Sequence, residues 1–488
     1  MEKSYYLAVD LGATSGRCVL AAFDGQRVEL QEFARFRNPI IPMSGHSFWN
    51  LPALYYEILL ALKKVAEAHI TLTSIGIDTW GCDFALFTAD GRLAGLPYSY
   101  RDPHTEGAMD TFFERMPAEK VYQLTGIQFM DFNSLFQLDT LRRGGCSALE
   151  SADKILFTPD ALSYLLTGEA VTEYTVASTS QILNPMKGDL DEELLGALSL
   201  PRERFGRLVL PGTVVGWLTP QVRQYTGLGD VPVVAVAGHD TASAVAAVPA
   251  ADGNFAYLSC GTWSLLGVEV EKPIITADSF RHNFTNEGGM DGTTRFLKNI
   301  CGLWLFERCR EEWTDAPSDV AQLAASCETS DYEGLIFPDW SGFAHPVSMT
   351  EAIKEYCRLT EQGAPASPAD YCRCIFRSLA LRYRQVVELL QSMVPFPINR
   401  LHAIGGGSLN RHLMQYAADA TGLPVVAGPS EGTALGNALA QIRAAGGTGS
   451  LAGMRQLSAA SVNTTAYAPS PSAEWDEAYA RFLKLQLQ

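Results

Sequence analysis

Apolar positions in this chain gather into short runs of strand type that close on small-residue turns, and the arrangement occurs twice. Tyr5-Tyr6-Leu7-Ala8-Val9 ends at Asp10, a glycine-rich turn follows, and Cys18-Val19-Leu20-Ala21-Ala22-Phe23 resumes the pattern. Two such runs joined by a tight turn predict a hairpin. The form returns as Phe255-Ala256-Tyr257-Leu258-Ser259, the turn Cys260-Gly261-Thr262, and a run from Trp263 to Val270. After each hairpin the period changes. Asn50 is placed to cap a helix with Pro52 in its first turn and Leu54, Ile58, Leu62 and Val65 on one face. A buried strand, Ser74-Ile75-Gly76-Ile77-Asp78, comes next, then Phe84 to Phe87 and an Asp90-Gly91 turn. Late in the chain, strand Leu401 to Ile404 leads through three glycines into a helix over 409–420 and strand Pro424 to Ala427.

Alternating strands and helices predict layered α/β architecture. A small-residue helix after Asp240 runs into Pro249-Ala250-Ala251-Asp252-Gly253, which suggests two lobes, 1–246 and 247–488, around a central cleft. Clefts of that kind host small-molecule sites.

Charge narrows the partners. The 488 residues hold 37 basic and 54 acidic side chains, a net charge of −17. That field opposes nucleic acid and anionic membranes, and no Lys/Arg cluster offsets it. The most weakly charged stretch, Val231 to Ala251, is broken by Pro232, His239, Asp240 and Pro249, so no membrane span is expected. The ten cysteines form no CxxC pair. Reduced thiols in a cytoplasmic protein are the expectation, with no zinc site, and a Cys357–Cys374 disulfide is disfavoured.

Asp10-Leu11-Gly12-Ala13-Thr14-Ser15-Gly16-Arg17 places a carboxylate at a strand end, backbone N–H groups in a turn, two hydroxyls and a guanidinium. Those groups suit a phosphate chain carrying Mg²⁺, although a hairpin needs an Asp and a Gly for turn geometry alone. Val233-Val234-Ala235-Val236-Ala237-Gly238-His239-Asp240-Thr241 reads as a strand buried on both faces, with Asp240 at the junction to a helix. Asp240 is either a helix N-cap or the base that takes a proton from a hydroxyl attacking a γ-phosphate, and the two roles are compatible. Gly405-Gly406-Gly407 suits close approach of a flat ring or a phosphate, yet lacks both dinucleotide and P-loop spacing. Ser259-Cys260-Gly261-Thr262-Trp263-Ser264 repeats the first turn, so the two bends are expected to address one phosphate chain from opposite sides. Lys298-Asn299-Ile300-Cys301-Gly302-Leu303-Trp304 reads as a helix start, and Glu431 to Ala438 as an architectural helix beside the strand over 401–404. Asp78-Thr79-Trp80-Gly81-Cys82-Asp83 and Tyr98-Ser99-Tyr100-Arg101-Asp102 mix aromatics with polar groups, which fits a sugar or a self-anchored loop.

Taken in order, these segments, with Thr285-Asn286-Glu287-Gly288-Gly289, resemble the FGGY family of carbohydrate kinases over nearly the whole chain. The resemblance implies two ribonuclease-H-like domains of the actin/hexokinase type, an N-terminal one on the sugar and phosphate side and a C-terminal one on the nucleotide side. It implies ATP as donor with Mg²⁺, and transfer to the C1 hydroxyl of a ketose, L-rhamnulose first, with L-fuculose or L-ribulose as alternatives. Asp240 matches the general base. Ala13, Thr14, Ser15, Gly16, Arg17, Thr262 and Gly406 match nucleotide contacts, and Gly81, His239, Asp240, Thr241 and Asn299 match sugar contacts. Asp10 is the expected metal-side carboxylate. Glu307 departs from the family, standing where relatives place a glutamine against the nucleotide, and is left out of the site. A monomer or small homo-oligomer is expected. A sensor that binds ATP or sugar without transfer is the alternative from outside catalysis.

Overall fold

A computed structural model describes residues 3–486, apart from 315, 316, 318, 345 and 471. The chain forms two compact α/β units: Met1–Ala251 with Glu269–Phe296 and Gly432–Ser461, and Asp252–Val268 with Leu297–Glu431 and Val462–Gln488. The division is interleaved rather than a single cut after residue 246, because the first unit takes two segments from the second half of the chain.

The first unit is built on a six-stranded sheet in the order Thr213–Trp217, Pro232–Ala235, Leu72–Thr79, Ser4–Leu11, Ser15–Phe23, Val28–Arg37. The predicted hairpin is present, with Asp10 opposite Arg17, and Leu72–Thr79 lies parallel to its first strand with Asp78 beside Asp10. Period-2 alternation sends Leu7, Val9 and Leu11 into one core, while Ala8 and Val19 pack with Ala434 on the other face. Helix Leu51–Glu67 begins as read: the Asn50 side chain accepts from the Ala53 N–H, Pro52 sits in the first turn, and Leu54, Ile58, Leu62 and Val65 are buried. Each such side chain contributes about 1.5–3 kcal/mol by leaving water, so this face holds the helix against the sheet.

Helix Gly432–Ala444 departs from expectation. It belongs to the first unit and not beside the strand over 401–404. A Cβ on Gly436 would stand 1.7 Å from the Ser243 carbonyl oxygen, so only glycine lets this helix touch the backbone of helix Asp240–Ala246.

In the second unit, strands run in the order Trp263–Val270, Phe255–Cys260, Arg400–Ile404, Val425–Ala427, Thr465–Tyr467. The second hairpin pairs Cys260 with Ser264, and Ser259 lies beside Ile404 in the parallel neighbour. Residues Gly406–Leu409 form a short 3₁₀ turn, so the following helix starts at Arg411, capped by Asn410, and not at 409. The helix start expected at Lys298 is the end of a strand, Thr294–Cys301, and the helix itself spans Trp304–Glu312. Burial of Phe296, Leu297 and Ile300 decides for the strand. Among the described residues no helix is long and apolar enough to cross a membrane.

Candidate active site

In the first unit the predicted residues collect at the C-terminal ends of three parallel strands, where α/β folds place their ligands. The hairpin turn is closed by a Gly12 N–H to Ser15 carbonyl bond of 2.9 Å. Asn38, which sequence reasoning missed, clamps it: its backbone N–H donates to the Thr14 carbonyl at 3.0 Å and its side-chain amide to the Gly12 carbonyl at 3.0 Å. Thr14 is exposed, Ala13 and Ser15 are half-buried, and Gly16 is buried. A Cβ on Gly16 would meet the Phe36 ring at 2.3 Å and Leu11 at 2.6 Å, so packing alone requires this glycine. Arg17 holds Oδ2 of Asp10 through Nε at 2.9 Å and Nη2 at 2.7 Å, and the pair is largely buried.

Asp78 adjoins Asp10 in the sheet and is fully buried. Burial, then the charge of Asp10, holds its pKa well above the usual carboxylate range, against the opposing hydrogen bond from Asn437. That bond runs from Asn437 Nδ2 to Asp78 Oδ2 at 2.6 Å, and Gln441 extends it to Asn437 Oδ1 at 2.7 Å and to the Ser74 hydroxyl at 2.7 Å. The helix read as architectural thus supports the strand ends that carry both acids.

The Thr79 N–H donates to the Gly238 carbonyl at 2.9 Å, which sets the Gly81 loop beside His239, Asp240 and Thr241. His239 occupies the helix cap and Asp240 is the first helical residue, so Asp240 is not the N-cap. Its Oδ1 accepts from the Thr241 N–H at 2.5 Å and the Thr241 hydroxyl at 3.1 Å, and its side chain is 31% exposed. Gly81 faces Thr179, whose hydroxyl oxygen would lie 2.7 Å from an added Cβ.

The self-anchored alternative holds for the flanking acids. Asp83 accepts from Trp49 Nε1, Trp80 Nε1, Gln137 Nε2 and the Tyr100 N–H at 2.5–3.1 Å, and burial raises its pKa to about 6. Asp102 accepts from the Ser47 and His104 N–H groups and faces both His46 and His104.

In the second unit Thr262 and Gly406 follow adjacent parallel strands. Of the three glycines, Gly405 is needed for its φ of 83° and Gly407 because a Cβ would meet Cys260 Sγ at 2.4 Å. Nothing lies within 4 Å of a Cβ on Gly406, so the protein itself does not require that glycine. Asn299 is half-buried near the end of strand Thr294–Cys301. Burial and the Arg382 charge bring its neighbour Lys298 down to about 8. Glu307 lies on the helix surface, paired with Arg310 Nε at 2.9 Å. Cys357 and Cys374 are free thiols.

No group of three or more His, Cys, Asp or Glu among the described residues forms a cage for a metal ion. One or two carboxylates at a strand end fit a hard cation that keeps its remaining positions for phosphate and water, which is how Mg²⁺ is carried into nucleotide sites.

Acids at the strand ends beside a glycine-bearing hairpin turn fit a nucleotide-dependent transferase. Family comparison decides the matter: the N-terminal domain of the FGGY family of carbohydrate kinases matches residues 5–247 and its C-terminal domain residues 256–445. The chain belongs to the FGGY family of carbohydrate kinases. A rhamnulokinase of Bacteroides thetaiotaomicron is 55% identical over 98% of this chain and 99% of its own length. A second, from Pectobacterium carotovorum, is 43% identical over 98% and 96%. Solved structures agree in fold. A Lactobacillus acidophilus gluconate kinase superposes with TM-score 0.81 at 17% identity, covering 99% of this chain and 96% of its own. A Plasmodium falciparum glycerol kinase with ADP gives 0.80 at 15%, covering 99% of each. As an FGGY kinase the protein takes ATP with a divalent metal as donor and a sugar as acceptor.

Proposed function

We propose that this kinase transfers the γ-phosphoryl group of ATP to the C1 hydroxyl of L-rhamnulose, giving L-rhamnulose 1-phosphate and ADP. The observation that carries the reading is the 55% identity to a rhamnulokinase across 98% of the chain. Asp240 is the base: it stands at the start of its helix with a carboxylate open to solvent. In a loose phosphoryl transfer, positioning and charge neutralisation matter more than a shifted pKa. The sugar contacts are Gly81, His239, Asp240, Thr241 and Asn299. Ala13 to Arg17 take phosphate oxygens through the turn amides, two hydroxyls and the guanidinium. Thr262 and Gly406 serve the nucleotide, the latter because its open face admits a flat ring.

The metal is Mg²⁺, held by Asp10 together with ATP phosphates, and it supplies charge neutralisation of the triphosphate. Functionally the chain divides near residue 246 into a sugar and phosphate side and a nucleotide side. The site of action is the cytoplasm, and the protein works as a monomer or small homo-oligomer.

The test is sugar-dependent ADP release over a panel of L-rhamnulose, L-fuculose and L-ribulose. Highest kcat/KM with L-rhamnulose is expected. A preference for another ketose moves the substrate, and tight sugar binding without ADP release sinks the catalytic reading.

A further inference from the structure

His239 is held from behind by a buried ion pair that the reaction does not touch. Arg295 is fully buried and Glu287 nearly so, and Arg295 Nη2 lies 3.0 Å from Glu287 Oε2. The same Nη2 points a hydrogen at His239 Nδ1, 3.1 Å away, while Nε donates to the Gly288 carbonyl at 2.9 Å. Burying a charge is costly unless it is paired, and this guanidinium is paired with a carboxylate while Nε donates to a carbonyl and Nη2 faces an imidazole; the buried Nη1 makes no hydrogen bond.

A guanidinium only donates hydrogen bonds. Nη2 brings a hydrogen to Nδ1, which makes Nδ1 the acceptor nitrogen of the ring. The ring proton then sits on Nε2, which faces Asp240 Oδ1 at 3.4 Å. Glu287 also approaches Nδ1, at 3.3 Å, and would favour the other tautomer. Its Oε2 lies within ion-pair distance of both groups but is aligned for a hydrogen bond with neither, so Arg295 is the group that donates to Nδ1. Burial pushes the Glu287 carboxyl up, but Arg295 and then His239 outweigh it, leaving its pKa below the ordinary value.

Resting on the functional reading above, we infer that Arg295, backed by Glu287, is a positioning residue that sets the tautomer of His239 and thereby selects which oxygen of Asp240 acts as the base. The Thr241 N–H, the Thr241 hydroxyl and His239 Nε2 all converge on Oδ1. Oδ2 is left for the substrate. In the reaction the sugar O–H bond breaks and its proton goes to Oδ2. The freed oxygen pair forms the bond to the γ-phosphorus as the bond from phosphorus to the ADP oxygen breaks.

The decisive measurement is ¹⁵N NMR of histidine-labelled wild-type protein at pH 8 without substrate, the His239 signal being assigned by its loss in His239→Gln. A pyridine-type Nδ1 and a pyrrole-type Nε2 are expected. A pyrrole-type Nδ1, or a ring protonated on both nitrogens, overturns the inference. Arg295→Lys keeps the charge opposite Glu287 but not the planar fork. It should lower kcat about tenfold through a misaligned base, leave KM for ATP within about twofold, and move the ring toward the Nδ1–H form. Unchanged kcat with an unchanged tautomer also overturns it, and should the variant fail to fold, the wild-type spectrum decides. The spectrum needs no turnover: absent ADP release sinks the kinase reading alone, and the wrong tautomer sinks this inference alone.

Discussion

The two hairpins share a backbone plan and differ in what holds them. Between Asp10 and Arg17 the first is braced by charge: a largely buried ion pair, a second carboxyl at Asp78 in the adjoining strand, and the Asn38 clamp across the turn. The second has no ionised side chain from Cys260 to Ser264. It is held by backbones in near contact, with Gly302 so close that a Cβ would stand 2.6 Å from the Trp263 carbonyl carbon. Tyr383 and Ser264 share a 2.8 Å hydroxyl contact beneath it, and burial drives the Cys260 thiol up to about 12, keeping it neutral. One turn is held by paired charges and the other by close backbone packing. Similar turns in a sequence therefore do not imply similar chemistry.

That contrast is broken most directly at the acidic end. Asp240→Asn is expected to lower kcat by about 10²–10⁴-fold with the fold intact by circular dichroism; retention of more than about a third of turnover removes Asp240 from its role. Arg17→Met removes a charge-assisted contact worth about 2 kcal/mol, so KM for ATP should rise roughly thirtyfold while KM for the sugar holds. If the two constants move together, the first hairpin is not the phosphate grip.

Asp83 tests the charge-rich unit by pH. Its folded pKa of about 6 lies above the unfolded value near 4, so the native state binds this proton more tightly. Its contribution therefore favours folding increasingly as pH falls from 6 to 4. The stability deficit of Asp83→Asn in urea melts should widen by about 2–3 kcal/mol over that range; a constant deficit contradicts it. In the second unit, Gly407→Ala sets a methyl against Cys260 and should cost about 1–3 kcal/mol in the same melts. Smallest is Thr262→Val, which loses one neutral hydrogen bond and should raise KM for ATP about fivefold. An effect as large as that of Arg17→Met would erase the contrast.

Much of the fold is legible in the chain. Both hairpins, the helix capped by Asn50 and the strand ending at Asp78 follow from local periodicity and capping chemistry. The misread segments have a common cause. Lys298 to Cys301 reads as helix and is strand, and Gly432 to Ala444 is the helix expected but packs elsewhere; both outcomes are set by tertiary contacts. Of the acids in the two aromatic loops, Asp83 accepts from Trp49 and Gln137 and Asp102 from Ser47, partners that residue type alone does not reveal.

By itself the amino-acid order determined that Asp10 and Asp78 stand near the ends of buried strands and Asp240 at a helix start, because apolar runs give way there to glycine and small polar residues. It also carried the family likeness, which is spread over many short segments. Tertiary structure alone decided that Asn437 reaches Asp78 across 359 positions of chain, that Gly436 lets two helices touch, and that Arg295 faces His239 from 56 residues away. Those partners lie far apart in sequence, and hydrogen bonds and close packing depend on separations in space that only the completed fold brings down to a few ångströms.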